Sequence, residues 1–149
     1  MERAREIWRT AVPLAGTAGA AYLIRRGCAL PPAAGDVRFA PHLHCSKVER
    51  FLPAIVCKVT TVEGNRFAGI HRIFLDPDGS SRAHAKMRLG GDDDAVCIRL
   101  WPEEDVTLGL AIAEGIETAL AAAQLYRPIW STIDAGQMAR FPVLRGIES

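Results

Sequence analysis

Two glutamates, Glu114 and Glu117, stand three residues apart where an apolar run gives way to a helical pattern. The stretch Leu108-Gly109-Leu110-Ala111-Ile112-Ala113 leads into Glu114-Gly115-Ile116-Glu117-Thr118-Ala119-Leu120. This is the pattern of a buried parallel strand that turns directly into a helix. Ligands of open α/β sheets collect at the carboxyl ends of strands, which is where Glu114 falls. Gly115 permits a tight turn and lets a phosphate or a metal approach the backbone closely. Glu117 falls in the first helical turn, where the helix dipole favours negative charge. Capping alone explains many glutamates at such positions, so spacing leaves a chemical and a structural role open for each.

Positive charge lies upstream. Ser80-Ser81-Arg82-Ala83-His84-Ala85-Lys86-Met87-Arg88 is the most locally basic part of the chain. Arg82, Lys86 and Arg88 have the charge to neutralise phosphates of a nucleotide or a strand. A solvated surface loop is the alternative reading of the same residues. The aspartates of Asp76-Pro77-Asp78-Gly79 and of Gly90-Gly91-Asp92-Asp93-Asp94 sit where turns favour Asp, and they read as turn residues, not as metal ligands. His42-x-His44-Cys45 has no matching second half at zinc spacing, so no zinc site is evident. Its histidines read as loop residues after Pro41.

The elements that must hold these residues can be read from pattern. Met1–Thr10 predicts a helix anchored by Ile7 and Trp8 and ended near Pro13. Thr17 is the expected N-cap of a helix over Ala18–Arg26, with Tyr22 and Leu23 on its buried stripe, Arg25 and Arg26 at its negative end and Gly27 closing it. Val37-Arg38-Phe39 is a short extended piece. Phe51–Val62 and Arg66–Leu75 read as strands joined at Glu63-Gly64-Asn65 as a hairpin. Alternation sets Ile70 and Arg72 on one face and His71 on the other. Ala95–Trp101 is a further strand, and Glu103-Glu104-Asp105 marks a boundary. Beyond it, strand Thr107–Ala113, helix Ile116–Tyr126 and strand Ile129–Ile133 form a β-α-β order, which predicts a parallel pair. The expected fold is an α+β N-terminal region with a small antiparallel sheet over 1–105, followed by an α/β, Rossmann-like β-α-β unit over 106–149.

Composition bounds the possibilities. The chain has 149 residues, 49% apolar and 23% charged, enough to bury a core and too apolar for intrinsic disorder. Its formal net charge of +1 provides no global attraction to nucleic acid, so such binding requires a local patch. Four dispersed cysteines without a Cys-x-x-Cys pair predict reduced thiols and a cytoplasmic setting. The apolar stretch over 11–24 is short of the roughly 20 residues that a membrane span needs, so no membrane partner is expected.

Ala113-Glu114-Gly115-Ile116-Glu117-Thr118-Ala119-Leu120 resembles the first motif of the Toprim domain shared by bacterial-type primases, topoisomerases and some nucleases. Its wording is similar to the Toprim of phage- and plasmid-type primase-like proteins in particular. Ala21-Tyr22-Leu23-Ile24-Arg25-Arg26-Gly27, Val37-Arg38-Phe39, Gly69-Ile70-His71-Arg72, Asp78-Gly79 and Ala85-Lys86 follow in that family's order. The likeness runs from Trp8 to Phe141.

The resemblance implies a DNA primase-like protein of mobile-element replication, making RNA primers by nucleotidyl transfer on single-stranded DNA from nucleoside triphosphates. It implies catalytic roles for Glu114 and Glu117, with Glu114 at a Mg2+ (or Mn2+) centre. Arg72 and Lys86 become candidates for template or nucleotide phosphates, and a replicative helicase is a possible partner. The family's later Asp-x-Asp, which holds metal, has no counterpart after Glu114, where Asp134 is single. The expectation is therefore a partial Toprim domain, inactive as this chain, with a sheet edge left open after Ile129–Ile133. The alternative expectation is a non-catalytic module that binds single-stranded nucleic acid or a nucleotide.

Overall fold

The computed structural model describes residues 1–82, 87–90 and 94–142. The chain is α+β, with a small antiparallel sheet of several strands and a separate parallel pair. Helix α1 (Glu2–Thr10) buries Ala4 and Ile7, one turn apart, and ends at extended Ala11. Strand β1 (Val12–Pro13) follows, then α2 (Ala18–Arg25), whose Thr17 Oγ1 accepts the N–H of Ala20 as expected of an N-cap. Tyr22 and Leu23 are its buried residues together with Gly19 and Ala20.

The sheet runs β1–β2–β3–β4–β5, all neighbours antiparallel. Its members are β2 (Val37–Cys45), β3 (Arg50–Thr61), β4 (Phe67–Phe74) and β5 (Met87–Leu89); β6 (Val96–Cys97) pairs with the far end of β3. The β3–β4 hairpin lies where the sequence predicts it, with Gly64 at φ +82° and Asn65 at φ +50° in its turn. Alternation along β3 builds two cores. Ala54 and Val56 join Ala4 and Ile7 beneath α1. Ile55, Cys57 and Val59 join Tyr22 and Leu23 of α2 on the other face.

The parallel pair comprises β7 (Ala111–Ala113) and β8 (Ile129–Ser131), in register Ala111↔Ile129 and Ala113↔Ser131. Helix α3 (Ile116–Ala122) connects them and buries Ile116, Ala119 and Leu120 in the same core as α2. One core therefore runs through both expected units. Arg99, 3% exposed, ties them further. Its Nη1 donates to Thr60 Oγ1 at 2.6 Å and its Nη2 to Val62 O at 2.9 Å, while its guanidinium lies 4.6 Å from the Trp130 ring centroid.

Several expectations need correction. Val37-Arg38-Phe39 is the start of a nine-residue strand, and His42 and His44 belong to it, not to a loop. A register shift between Ala40 and Leu43 lets the strand pass Pro41, which has no N–H for the ladder. Helix α3 stops at Ala122, short of Tyr126, and a turn over Ala123–Leu125 follows. Helix α4 (Ala135–Arg140) forms where the sequence pattern predicts no element. The edge beyond β8 is not left open along its length. Ser131 exchanges both backbone hydrogen bonds with Ile98, at 2.8 and 3.1 Å, so the strand region after β6 covers it.

Candidate functional site

Glu114 leaves the end of β7 into solvent, and its neighbours fix the backbone that carries it. Ser131, wholly buried at the end of β8, donates its hydroxyl to Glu114 O at 2.9 Å and accepts the N–H of Ile133 at 3.1 Å. Thr132 N donates to Ala113 O at 2.9 Å. Ile133 adopts φ +77°, a conformation that a β-branched side chain resists and that surrounding structure must hold. Asp134 follows at the end of β8, exposed, and its Oδ1 caps α4 by accepting Gln137 N–H at 2.8 Å. Among the described residues, the Glu114 carboxylate has no hydrogen bond or ion pair.

Glu117 has different surroundings. Its side chain is 14% exposed, and its carboxylate is drawn into a clasp between α3 and α2. Oε1 accepts from Tyr22 Oη at 2.9 Å and from Arg26 Nε at 3.0 Å. Arg82 Nη1 lies 3.7 Å from Oε2. Burial, then the hydrogen bond to Glu117, pushes the Tyr22 phenol above its ordinary pKa. The Glu117 charge is the main cause holding the Arg26 guanidinium above its own. Cys28 Sγ lies 3.6 Å from Glu117 O, and burial, then the Glu117 charge, raises its thiol. The neighbouring Arg25 reaches Gly79 O at 2.9 Å. Arg25 and Arg26, expected to complement a helix dipole, thus make tertiary bonds.

The basic candidates divide between faces. Arg82 bridges to Leu75 and meets Glu117 on the α2–α3 side. Arg72, 7% exposed, lies on the α1 side with Ile70 and Phe74, its guanidinium 5.5 Å from the Phe74 ring centroid. Burial, then the positive charge of Arg3, lowers its pKa. Arg88 pairs with His71 across β4 and β5, which puts it on the face opposite Arg72. Its Nε and Nη2 are shielded from solvent and have no hydrogen-bond partner among the described residues. Lys86 lies outside the described residues, as do Asp92 and Asp93. Glu117 and Arg82 come together; Arg72 joins neither.

Sequence reasoning missed Tyr22 as a hydrogen-bond donor and Arg26 as the partner of Glu117. The available signal was their i, i+4 spacing, which puts both on one helix face. Ser131 had no signal, because its role depends on the pairing of β7 with β8.

Magnesium demands a near-octahedral shell of oxygens. Among the described residues, no three His, Cys, Asp or Glu side chains gather as a metal site. Glu117 is engaged by Tyr22 and Arg26, and Asp134 caps α4. By themselves these donors do not fit a resident magnesium ion. The expectation that Glu114 anchors one requires further oxygen ligands.

Among the described residues, no helix is long and apolar enough to cross a membrane. No curated protein matches the chain, and no solved structure matches it. Residues 1–93, more than half of the chain, match a domain of unknown function, DUF7146. By that match the chain belongs to the DUF7146 family.

Proposed function

We propose that this chain carries the N-terminal region and the leading β-α-β unit of a Toprim-type, primase-like nucleotidyltransferase. In this reading the protein makes short RNA on single-stranded DNA in phage or plasmid replication, and Glu114 acts at the reacting centre. The observation that carries it is a solvent-facing carboxylate, without a hydrogen bond or ion pair among the described residues, at the carboxyl end of a parallel strand and on a backbone pinned by Ser131. The ordered motifs from Tyr22 to Leu120 add to it. A carboxylate so held can accept a proton or hold a fixed negative charge beside a reacting hydroxyl. Arg82 supplies positive charge on the α2–α3 side and Glu117 positions it, so Glu117 is a positioning residue, not a catalytic one. The described residues complete no magnesium shell, and none of these roles is derived through one.

The test is primer synthesis from labelled nucleoside triphosphates on single-stranded DNA, assayed in the intact nucleotidyltransferase to which this reading assigns the chain. Glu114→Gln removes the charge, keeps the shape and should abolish the product without lowering Tm, because the side chain faces solvent. Undiminished primer yield in that variant would overturn the assignment. A second reading, a non-catalytic single-strand binding module, is favoured by one observation: Phe51 is 63% exposed between two histidines. It predicts salt-sensitive binding that is indifferent to Glu114→Gln.

A further inference from the structure

Strand β5 forms the outer edge of the sheet, and its register sets Arg88 directly opposite His71 of β4, which is itself opposite Cys57 of β3. Directly opposed residues share a face of a sheet. Cys57 belongs to the core under α2 and α3, so the Arg88 side chain stands on that face. Arg82 stands on it too, bridging to Leu75 of the same core and meeting Glu117.

The other arginines of this side are engaged. Arg25 donates to Gly79 O, and Arg26 and Arg82 share the Glu117 carboxylate. Arg88 differs. It has no hydrogen bond and no ion pair among the described residues, although its Nε and Nη2 are shielded from water. A guanidinium held out of water without an acceptor costs stability, so native folds seldom keep one unless a ligand or an ion serves as its acceptor. The chemistry of that ligand follows from which atoms are shielded. Nε and Nη2 lie side by side along one edge of the planar guanidinium, with their N–H bonds nearly parallel. This fork fits two oxygens of one oxyanion, a carboxylate or a phosphate. Within the chain, the Glu117 carboxylate is taken by Tyr22 and Arg26, and Asp76 and Asp78 accept from Ser81 and Ser80.

We propose that Arg88 binds a phosphate group through this fork, at the β5 edge and on the face that carries Glu117. The choice of phosphate over carboxylate rests on the nucleotidyl-transfer reading, whose substrates are a nucleoside triphosphate and a DNA strand. What is added is the residue that meets the phosphate and the face on which it lies. Arg88 is only part-buried, on an edge strand, so a ligand reaches the guanidinium from the rim of the sheet without opening either core. Arg82, 41% exposed and 3.7 Å from Glu117 Oε2, gives the same face a second cation for a further phosphate. Arg72 has no part in it, because the register sets it opposite Val56, under α1.

The test is a thermal melt and a calorimetric titration of this chain with sodium tripolyphosphate, without divalent metal. Tripolyphosphate should raise the wild-type Tm. Arg88→Gln should bind it about tenfold more weakly, the scale of one charge-assisted pair. Arg88→Lys keeps the charge but not the fork, and should also bind more weakly than the wild type. Arg66→Gln, an equal change of charge at the exposed pair with Asp94, should bind like the wild type. Arg88→Met without ligand should melt no lower than the wild type, because it removes a shielded charge that has no acceptor. ATP and an oligothymidylate, titrated separately, tell a nucleotide's phosphate from a strand's by which of them loses affinity in Arg88→Gln. The site is overturned if the wild type shows no shift, if Arg88→Gln or Arg88→Lys matches it, or if Arg66→Gln loses as much affinity as Arg88→Gln. It is also overturned if Arg88→Met melts markedly lower, since the guanidinium would then have a structural partner. None of these measurements involves Glu114 or primer synthesis, so a site that stands while Glu114→Gln keeps its primer yield refutes the catalytic reading alone.

Discussion

Replacing Glu117 by alanine removes the acceptor at the centre of the clasp and leaves Tyr22 Oη, Arg26 Nε and Arg82 Nη1 without it. The hydrogen bond from Tyr22 to a carboxylate that is 14% exposed is the strongest part. Bonds to charged groups contribute about 1.5–3 kcal/mol, and partial solvent access argues for the lower end. The pairs with Arg26 and Arg82 add little, because those side chains are 58% and 41% exposed and water screens them. We therefore expect Glu117→Ala to cost roughly 1.5 kcal/mol and to lower Tm by about 4 °C for a chain of this length. Urea unfolding followed by circular dichroism measures the first and a thermal melt the second. Tyr22→Phe should cost a similar amount, and the double variant should cost clearly less than the sum, a coupling of about 1 kcal/mol.

The same clasp has a pH signature. The Tyr22 phenol is raised above 10.0 in the folded chain, so the folded state holds its proton more tightly than the unfolded chain does. Its contribution to stability is complete below about pH 10 and falls as pH rises through the raised pKa. Tyr22→Phe should flatten that alkaline loss relative to the wild type. An unchanged Tm in Glu117→Ala, or costs of the two substitutions that simply add, would refute the clasp.

The four cysteines are buried and form no disulfide among the described residues, and burial pushes the Cys97 thiol up to about 11. A thiol reagent at about pH 8 should therefore find almost none of them in the folded chain and all of them in denaturant, and rapid labelling of the native chain would contradict this packing. Gly69 has φ +135°, and a Cβ there would stand 2.3 Å from Leu89 O. Gly69→Ala should consequently cost about 3 kcal/mol by forcing β4 and β5 apart, and a Tm within one degree or so of the wild type would show that β5 yields more easily than the geometry implies.

Glu114 and Glu117, three residues apart in one motif, thus have separate surroundings. One ends a strand and faces solvent, while the other, inside the first turn of α3, is turned back onto α2. Spacing along the chain could not separate them. Both positions suit a carboxylate for the same local reasons, strand end and helix dipole. Only the approach of α2, through the shared core of Tyr22, Leu23, Ile116 and Leu120, decides which one is taken.

Local patterns were sufficient for much else. Thr17 caps α2 because a hydroxyl before an apolar stripe has an orphan N–H to satisfy wherever the helix later docks. The hairpin at Gly64-Asn65 and the division of Ile70 and Arg72 from His71 follow from turn chemistry and a period of two. Asp78 caps its own turn for the same kind of reason. Tertiary structure decided what depends on partners distant in sequence. His42 and His44 became strand residues because β3 supplied a ladder on the far side of Pro41. Ile98 covered Ser131, and Ser131 then fixed the backbone of Glu114. Arg72 and Arg82, ten residues apart and alike in charge, ended on opposite faces of the sheet. A residue's own neighbours set its preferred backbone, but which side chain it meets is set by how two faces of the sheet are covered, and that is a property of the whole core.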